Sequence, residues 1–144
     1  MLESSLQQRV RRLNVQFLYQ MEINETWIWD ENLFHTFWTQ DQIKPECLPH
    51  MRNILLKVIV NNSTIESLIQ EYSKHWKIFR MNKVDLAILK ACIGEMLVRK
   101  DANKNIIIND AVNIAKEFSA QHSYSFVNGI LDALKLESKI QDLA

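Results

Sequence analysis

The run Ile106–Leu134, IIINDAVNIAKEFSAQHSYSFVNGILDAL, reads as two amphipathic helices joined by a short polar break. Asn109 has the side chain of an N-cap, and Asp110 follows where the helix dipole favours negative charge. Ala111, Ile114, Ala115 and Phe118 recur at helical spacing and give one apolar face. Ser119–His122 interrupts the pattern, and Ser123 is placed to cap a second helix whose stripe is Phe126, Val127, Ile130, Leu131 and Leu134. Gly129 lies inside that second helix, where glycine costs about 1 kcal/mol relative to alanine. The chain has only 2 glycines, so this one needs a reason. Close approach of another helix is the expected one, and approach of a ligand is the alternative.

Composition extends the helical reading to the whole chain. The 144 residues suit one domain and can bury a real core. With 2 Gly and 2 Pro there is too little punctuation for a turn-rich β architecture, so the expected class is all-α. Lys plus Arg (17) balances Asp plus Glu (17). A strongly basic nucleic-acid binder is thereby excluded on bulk charge, though a local basic patch is not. Cys47 and Cys92 are isolated and read as reduced thiols. No stretch approaches the roughly 18 apolar residues of a membrane span. The opening MLESSLQQRVRR lacks the apolar segment of a signal peptide, so a cytoplasmic protein is expected.

Working back from the C-terminal pair, the residues from about Asn82 to Lys100 form a helix that is apolar nearly all round, and so central. Glu95 projects on the same side as Ile88 and Ala91. A carboxylate there is costly unless hydrogen-bonded, and backbone N–H groups at a neighbouring helix start are its expected donors. Before it, Glu46–Asn61 reads as a helix behind Pro45, and Asn62-Ser63 as a break after which Ser63 or Thr64 caps a further helix bearing Ile65, Leu68, Ile69 and Tyr72. Trp27, Trp29, Phe34, Phe37 and Trp38 surround a short helix near Asp30–Thr39 and are expected to fill the core of the first half. The first helix, about Ser5–Ile23, buries Leu6, Val10, Leu13, Phe17 and Met21. Its opposite face carries Gln8, Arg11, Arg12 and Gln16, with Arg9 and Tyr19 at the edges. Such a face either lies along RNA phosphates or is simply solvated.

Nothing in the sequence points to catalysis. His35, His50, His75 and His122 stand outside any metal or nucleophile motif, and no Gly-rich phosphate loop or catalytic carboxylate pair occurs. The expectation is a non-enzymatic protein with no metal and no cofactor.

Three motifs, in order, carry a family resemblance. IINDAVNIAKEFS followed by SFVNGILD resembles the C-terminal signature of the bacterial transcription antitermination family NusB, near I-N-E-A-V-E-L-A-K-x-F and F-V-N-G-V-L-D. Asn109, Ala111, Val112, Ala115, Lys116, Phe118, Phe126, Val127, Asn128, Gly129, Leu131 and Asp132 match. VDLAILKACIGEML is similar to the family's V-D-x-A-I-L-R-x-A-x-x-E-L, with Lys90 in place of Arg and an atypical Gly94. RVRRLNVQFLYQ is similar to its opening, with Gln7 and Gln8 where many members have arginine and Asn14 in place of Ala. Trp76 and Arg80 resemble a W-x-x-x-R at the junction of two halves, where Trp76 is expected as a buried wedge. The family's usual Pro before the penultimate helix is absent, with Asn103 in its place.

The resemblance covers the first helix and Trp76–Leu134, roughly half the chain, and the length suits a stand-alone member. It implies about seven helices in one NusB-like RNA-binding domain, residues 1–144, built of helical subdomains near 1–80 and 81–144. It further implies a factor that binds boxA-type single-stranded RNA of nascent transcripts, notably of ribosomal RNA operons. NusE, the small-subunit ribosomal protein, is the implied heterodimer partner, RNA polymerase the larger assembly, and a homodimer a further one. RNA contact carries over to Arg9, Arg11 and Phe126, with core packing the equal alternative for Phe126. Arg12 and His122 are added because they should flank the same surface; a protonated His122 would strengthen binding at about pH 6 relative to about pH 8. Asp85 carries over as the NusE contact, or else complements its own helix dipole. Two other readings are a helical protein–protein adaptor without RNA binding and the detached NusB-like domain of an RNA cytosine methyltransferase, which needs a long catalytic region after the domain.

Overall fold

The computed structural model describes residues 2–135. Among these, seven α-helices and two 3-10 turns occur, and no strand. The helices are α1 (Ser4–Asn24), α2 (Glu31–Gln40), α3 (Leu48–Val60), α4 (Asn62–Ser73), α5 (Lys83–Val98), α6 (Lys104–Phe118) and α7 (Ser123–Leu134). Side-chain caps fix three of the starts. Asp30 accepts from the Asn32 and Leu33 amides, Asn82 from Val84 and Asn103 from Asn105.

Helix α5 is the axis of the fold. Every residue from Asp85 to Leu97 is buried, and α1, α3, α6 and α7 pack around it. One contiguous apolar core therefore crosses the division expected near residue 80. The aromatic-rich segment closes that core at one end: Phe17 meets Phe37 edge-on at 5.3 Å and Phe34 at 5.9 Å. No helix among the described residues is long and apolar enough to cross a membrane.

Several local expectations are corrected. Helix α6 begins at Lys104 under an Asn103 cap, not at Asn109, because Ile107 and Ile108 share the buried face with Ala111, Ile114 and Ala115. Helix α4 starts at Asn62 without a side-chain cap from Ser63 or Thr64. His122, not Ser123, holds the cap position of α7, in the left-handed region at φ 71°.

The two glycines exchange roles. At Gly94 a methyl group would run into Val58 Cγ2 and lie 3.3 Å from the Ile54 carbonyl, so it is here that α3 and α5 approach closely. At Gly129 a methyl group would meet nothing within 4 Å. Close helix packing does not explain Gly129, and nothing else in the structure does. Urea titrations should therefore separate them: Gly129→Ala is expected to stabilise the fold by about 0.5–1 kcal/mol, and Gly94→Ala to destabilise it by about 1–3 kcal/mol through overpacking.

Cys47 and Cys92 are free, buried thiols. Burial pushes both thiol pKa values up. Iodoacetamide at about pH 8 should leave both unmodified in the folded protein and label both in urea. Because the folded-state pKa is the raised one, the thiols favour folding fully below the unfolded value of about 8.5, and that contribution is lost as pH climbs above it.

Candidate nucleic-acid interface

The five side chains expected to meet RNA fall into three environments. Arg11 is not on the solvent face. It is 7% exposed and lies between α1, α5 and α6. Its Nε donates to Glu95 Oε1 at 2.9 Å, Nη2 to Glu95 Oε2 at 2.9 Å, and Nη1 to Asp110 Oδ2 at 2.7 Å. Burial alone would lower the guanidinium pKa, but the hydrogen bonds to Glu95 and Asp110 outweigh it and hold the group above its ordinary value. Arg11 is thus a fixed structural cation, a correction to its expected place on the face of α1 opposite the apolar stripe. Glu95 is corrected with it: its donors are Arg11 and, at 2.5 Å, Arg99 Nη1, rather than the backbone amides of a helix start.

Arg9 and Arg12, one turn apart on α1, do reach the surface. Arg9 is exposed and makes a 3.4 Å contact to the Asp41 carbonyl. Arg12 pairs with Glu117 at 2.5 Å and lies over the exposed Phe118 ring, 5.5 Å from its centroid. The hydrogen bond that Arg12 donates to Glu117 raises the Arg12 pKa. An exposed pair of this kind contributes about 0–1 kcal/mol, so a phosphate can take over the guanidinium. Phe118 ends α6, and the chain then turns through Ser119–His122 into α7, where Lys116 Nζ stands 5.1 Å from the Tyr124 ring.

His122 and Phe126 come together at the far end of the turn, in a cleft of about 310 Å³ that Trp76, Arg80, Asn82 and Asp85 also line. His122 is exposed and Phe126 half-buried. Asp85 is not a free surface acid. It is buried, and its carboxylate accepts from Ser119 Oγ at 2.5 Å and Ser123 Oγ at 3.0 Å, which ties both ends of the α6–α7 turn to α5. That geometry corrects Asp85 as a surface acid and leaves it in the first turn of α5, where it also complements that helix's dipole.

This ordered set of helices, with the α6–α7 turn clamped to a buried central helix, is matched at sequence level. The NusB family profile fits residues 8–135. The chain belongs to the NusB family. A relative named transcription antitermination protein NusB, from Methylacidiphilum infernorum, is 36% identical over 90% of this chain and 90% of its own. A solved structure of T. maritima NusB is 28% identical, with a TM-score of 0.75 over 94% of this chain and 89% of that one. A second solved structure, of antitermination factors NusB and NusE in complex with dsRNA, is 20% identical and shares the fold, with a TM-score of 0.79 over 99% of this chain and 100% of that one. NusB relatives are antitermination proteins, not enzymes, as expected from the sequence.

Within this NusB-family chain, sequence reasoning missed two surface aromatics. Trp76 was expected as a buried wedge but is 57% exposed, at the mouth of the cleft. Phe118 was assigned to an apolar face but lies under Arg12 in solvent. The only signal for Trp76 was the W-x-x-x-R spacing, which places Arg80 in the same cleft. Phe118 could have been found from its position, the last residue before a polar break.

Proposed function

We propose that this chain is a transcription antitermination factor that binds boxA-type single-stranded RNA of nascent transcripts, notably of ribosomal RNA operons, as a heterodimer with NusE joined to RNA polymerase. The observation that carries the reading is the edge running from Arg9 and Arg12 through Phe118 to His122 and Phe126. Cations placed between aromatic rings suit a single strand, whose phosphates meet the cations while its bases stack. A chain without net charge gains little long-range attraction for RNA, so a partner that extends the surface fits its electrostatics. Relatives named as transcription antitermination proteins, and a neighbour structure that pairs NusB with NusE and RNA, support the same reading. Asp85 then serves NusE indirectly, through the turn it holds.

The test is a titration of a short boxA-type RNA into the chain, with and without NusE, at two salt concentrations. Binding is expected to be tighter with NusE and weaker at high salt, and Phe126→Ala should weaken it roughly 5- to 150-fold through lost stacking. Absence of binding with and without NusE would move the function to the protein–protein adaptor.

A further inference from the structure

The cleft below the α6–α7 turn has features that a surface tracking phosphates does not require. We propose that it receives one unstacked nucleobase of the bound strand, with Trp76 and Phe126 as aromatic walls and Arg80 and His122 at the mouth. The proposal rests on the RNA-binding reading and adds a discrete base site to it.

The first argument is the way Trp76 is held. Its side chain is 57% exposed, yet its backbone is pinned: the carbonyl accepts from Gln70 Nε2 at 2.8 Å and Ser73 Oγ at 3.0 Å, and the amide donates to the Ser73 carbonyl at 3.2 Å. Gln70 Oε1 also accepts from the Ile78 amide at 3.1 Å. The indole is therefore presented from a tied loop. With the backbone beneath it fixed, the exposed ring has only its own two side-chain torsions left to order on stacking against a base.

The second argument is strain. Of the four non-glycine residues at positive φ among the described residues, Glu25 and Gln42 lie elsewhere, but Lys74, at φ 41°, and His122, at φ 71°, sit in the two segments that frame the cleft. Such conformations persist only where surrounding contacts enforce them, and they concentrate at ligand sites. On the His122 side the enforcing contact is the Asp85 clamp on Ser119 and Ser123.

Size and polarity agree. About 310 Å³ is at the small end of ligand pockets, suited to one base rather than a run of them. The walls are aromatic, and the buried Asp85 and the exposed Asn82 line the cleft with them. A carboxylate has about four acceptor positions, and the two serines use two on Asp85, which leaves acceptors for base N–H groups. Asn82 caps α5 through its carbonyl oxygen, so its side chain offers a ligand donors. An apolar plug from a protein would leave the remaining Asp85 acceptor positions and the Asn82 N–H donors unpaired, whereas the edge of a base can engage both. Arg80 is exposed beside Phe79, its guanidinium 5.6 Å from that ring, and can meet the phosphate of the inserted nucleotide.

A double-mutant cycle tests the assignment. A boxA-type RNA is prepared with a single abasic ribose at each position in turn and titrated into wild-type, Trp76→Ala and Trp76→Phe proteins of matched melting temperature. Trp76→Ala should weaken binding of the intact RNA roughly 5- to 150-fold, and Trp76→Phe should retain most of it. One abasic position should cost the wild type a similar factor and cost Trp76→Ala little, since the base and the ring are then already uncoupled. Intact RNA bound equally by Trp76→Ala and wild type, or abasic penalties that persist unchanged at every position, overturns the base site and leaves the RNA-binding reading standing. So does a Trp76→Ala protein that loses NusE but keeps its RNA affinity, because the cleft is then a protein contact. A wild-type chain that binds no RNA overturns both.

Discussion

Arg11→Met should destabilise the protein by about 3–5 kcal/mol, because it removes one partner of a buried ion pair. The same substitution at Arg12, the next residue, should cost no more than about 1 kcal/mol. The guanidinium of Arg11 makes three hydrogen bonds within 2.9 Å to Glu95 and Asp110. Without it, the buried Glu95 carboxylate keeps only Arg99, and Asp110 loses its 2.7 Å partner. The expected loss is a large part of the 5–15 kcal/mol typical of a domain. At about 3 °C per kcal/mol it should appear as a fall in melting temperature of roughly 10–15 °C. Glu95→Gln, which keeps the shape and removes the charge, should fall in the same direction. Thermal melts of the three variants check this, and equal small shifts for Arg11→Met and Arg12→Met would count against a structural role for Arg11.

A comparable loss is expected at Lys90. It lies in the middle of α5 and is 0% exposed. Its Nζ pairs with the buried Glu22 of α1 and, at 2.8 Å, with Glu66 of α4, and it stands 4.0 Å from the centroid of the Trp27 ring. One ammonium thus joins three segments around the axis of the fold. Lys90→Met leaves the Glu22 carboxylate buried without its cation, again at about 3–5 kcal/mol. Glu66 is a third exposed and can turn to water, so little of the loss belongs to it. The second half of the test is the double variant Lys90→Met, Glu22→Leu. With both charges replaced by apolar groups of similar size, most of the stability should return. Urea titrations of the two single variants and the double one give the coupling between the sites directly. Additive losses would show that the two charges do not depend on each other.

The helices were legible because spacing carries them. Ala111, Ile114 and Ala115, and again Val127, Ile130, Leu131 and Leu134, lie where the pattern put them, in the core. The central position of α5 followed from its being apolar all round. Boundaries were less legible where two residues can each cap a helix. Asn103 and Asn109 are both good caps, and only the burial of Ile107 and Ile108 decides for Asn103. Arg11 was misplaced because a single apolar stripe was assumed for α1. That helix touches α3, α5 and α6, so it has a second buried stripe, Arg11, Asn14, Val15, Leu18 and Glu22, at the same helical spacing. Two of those residues are charged, and their partners lie more than sixty residues away in the chain, on α5 and α6. Local periodicity does not report such pairings. The recessed Asp85 has the same cause: its two serines come from a turn more than thirty residues downstream. Hydropathy likewise assigns a tryptophan to the core, whereas the exposure of Trp76 is set by the loop that Gln70 and Ser73 tie down.

The most direct test of RNA binding through the α1 edge is the salt dependence of binding by an Arg9→Ala, Arg12→Ala double variant. Both side chains are at the surface, so the variant should melt within a few degrees of the wild type, at about 3 °C per kcal/mol. Each lost phosphate contact on a single strand removes about 0.7 from the slope of log Kobs against log salt, so the double variant should be shallower by about 1.4. A boxA-type RNA bound with the wild-type slope and affinity by the double variant would contradict the account, since the strand would then not lie along Arg9 and Arg12.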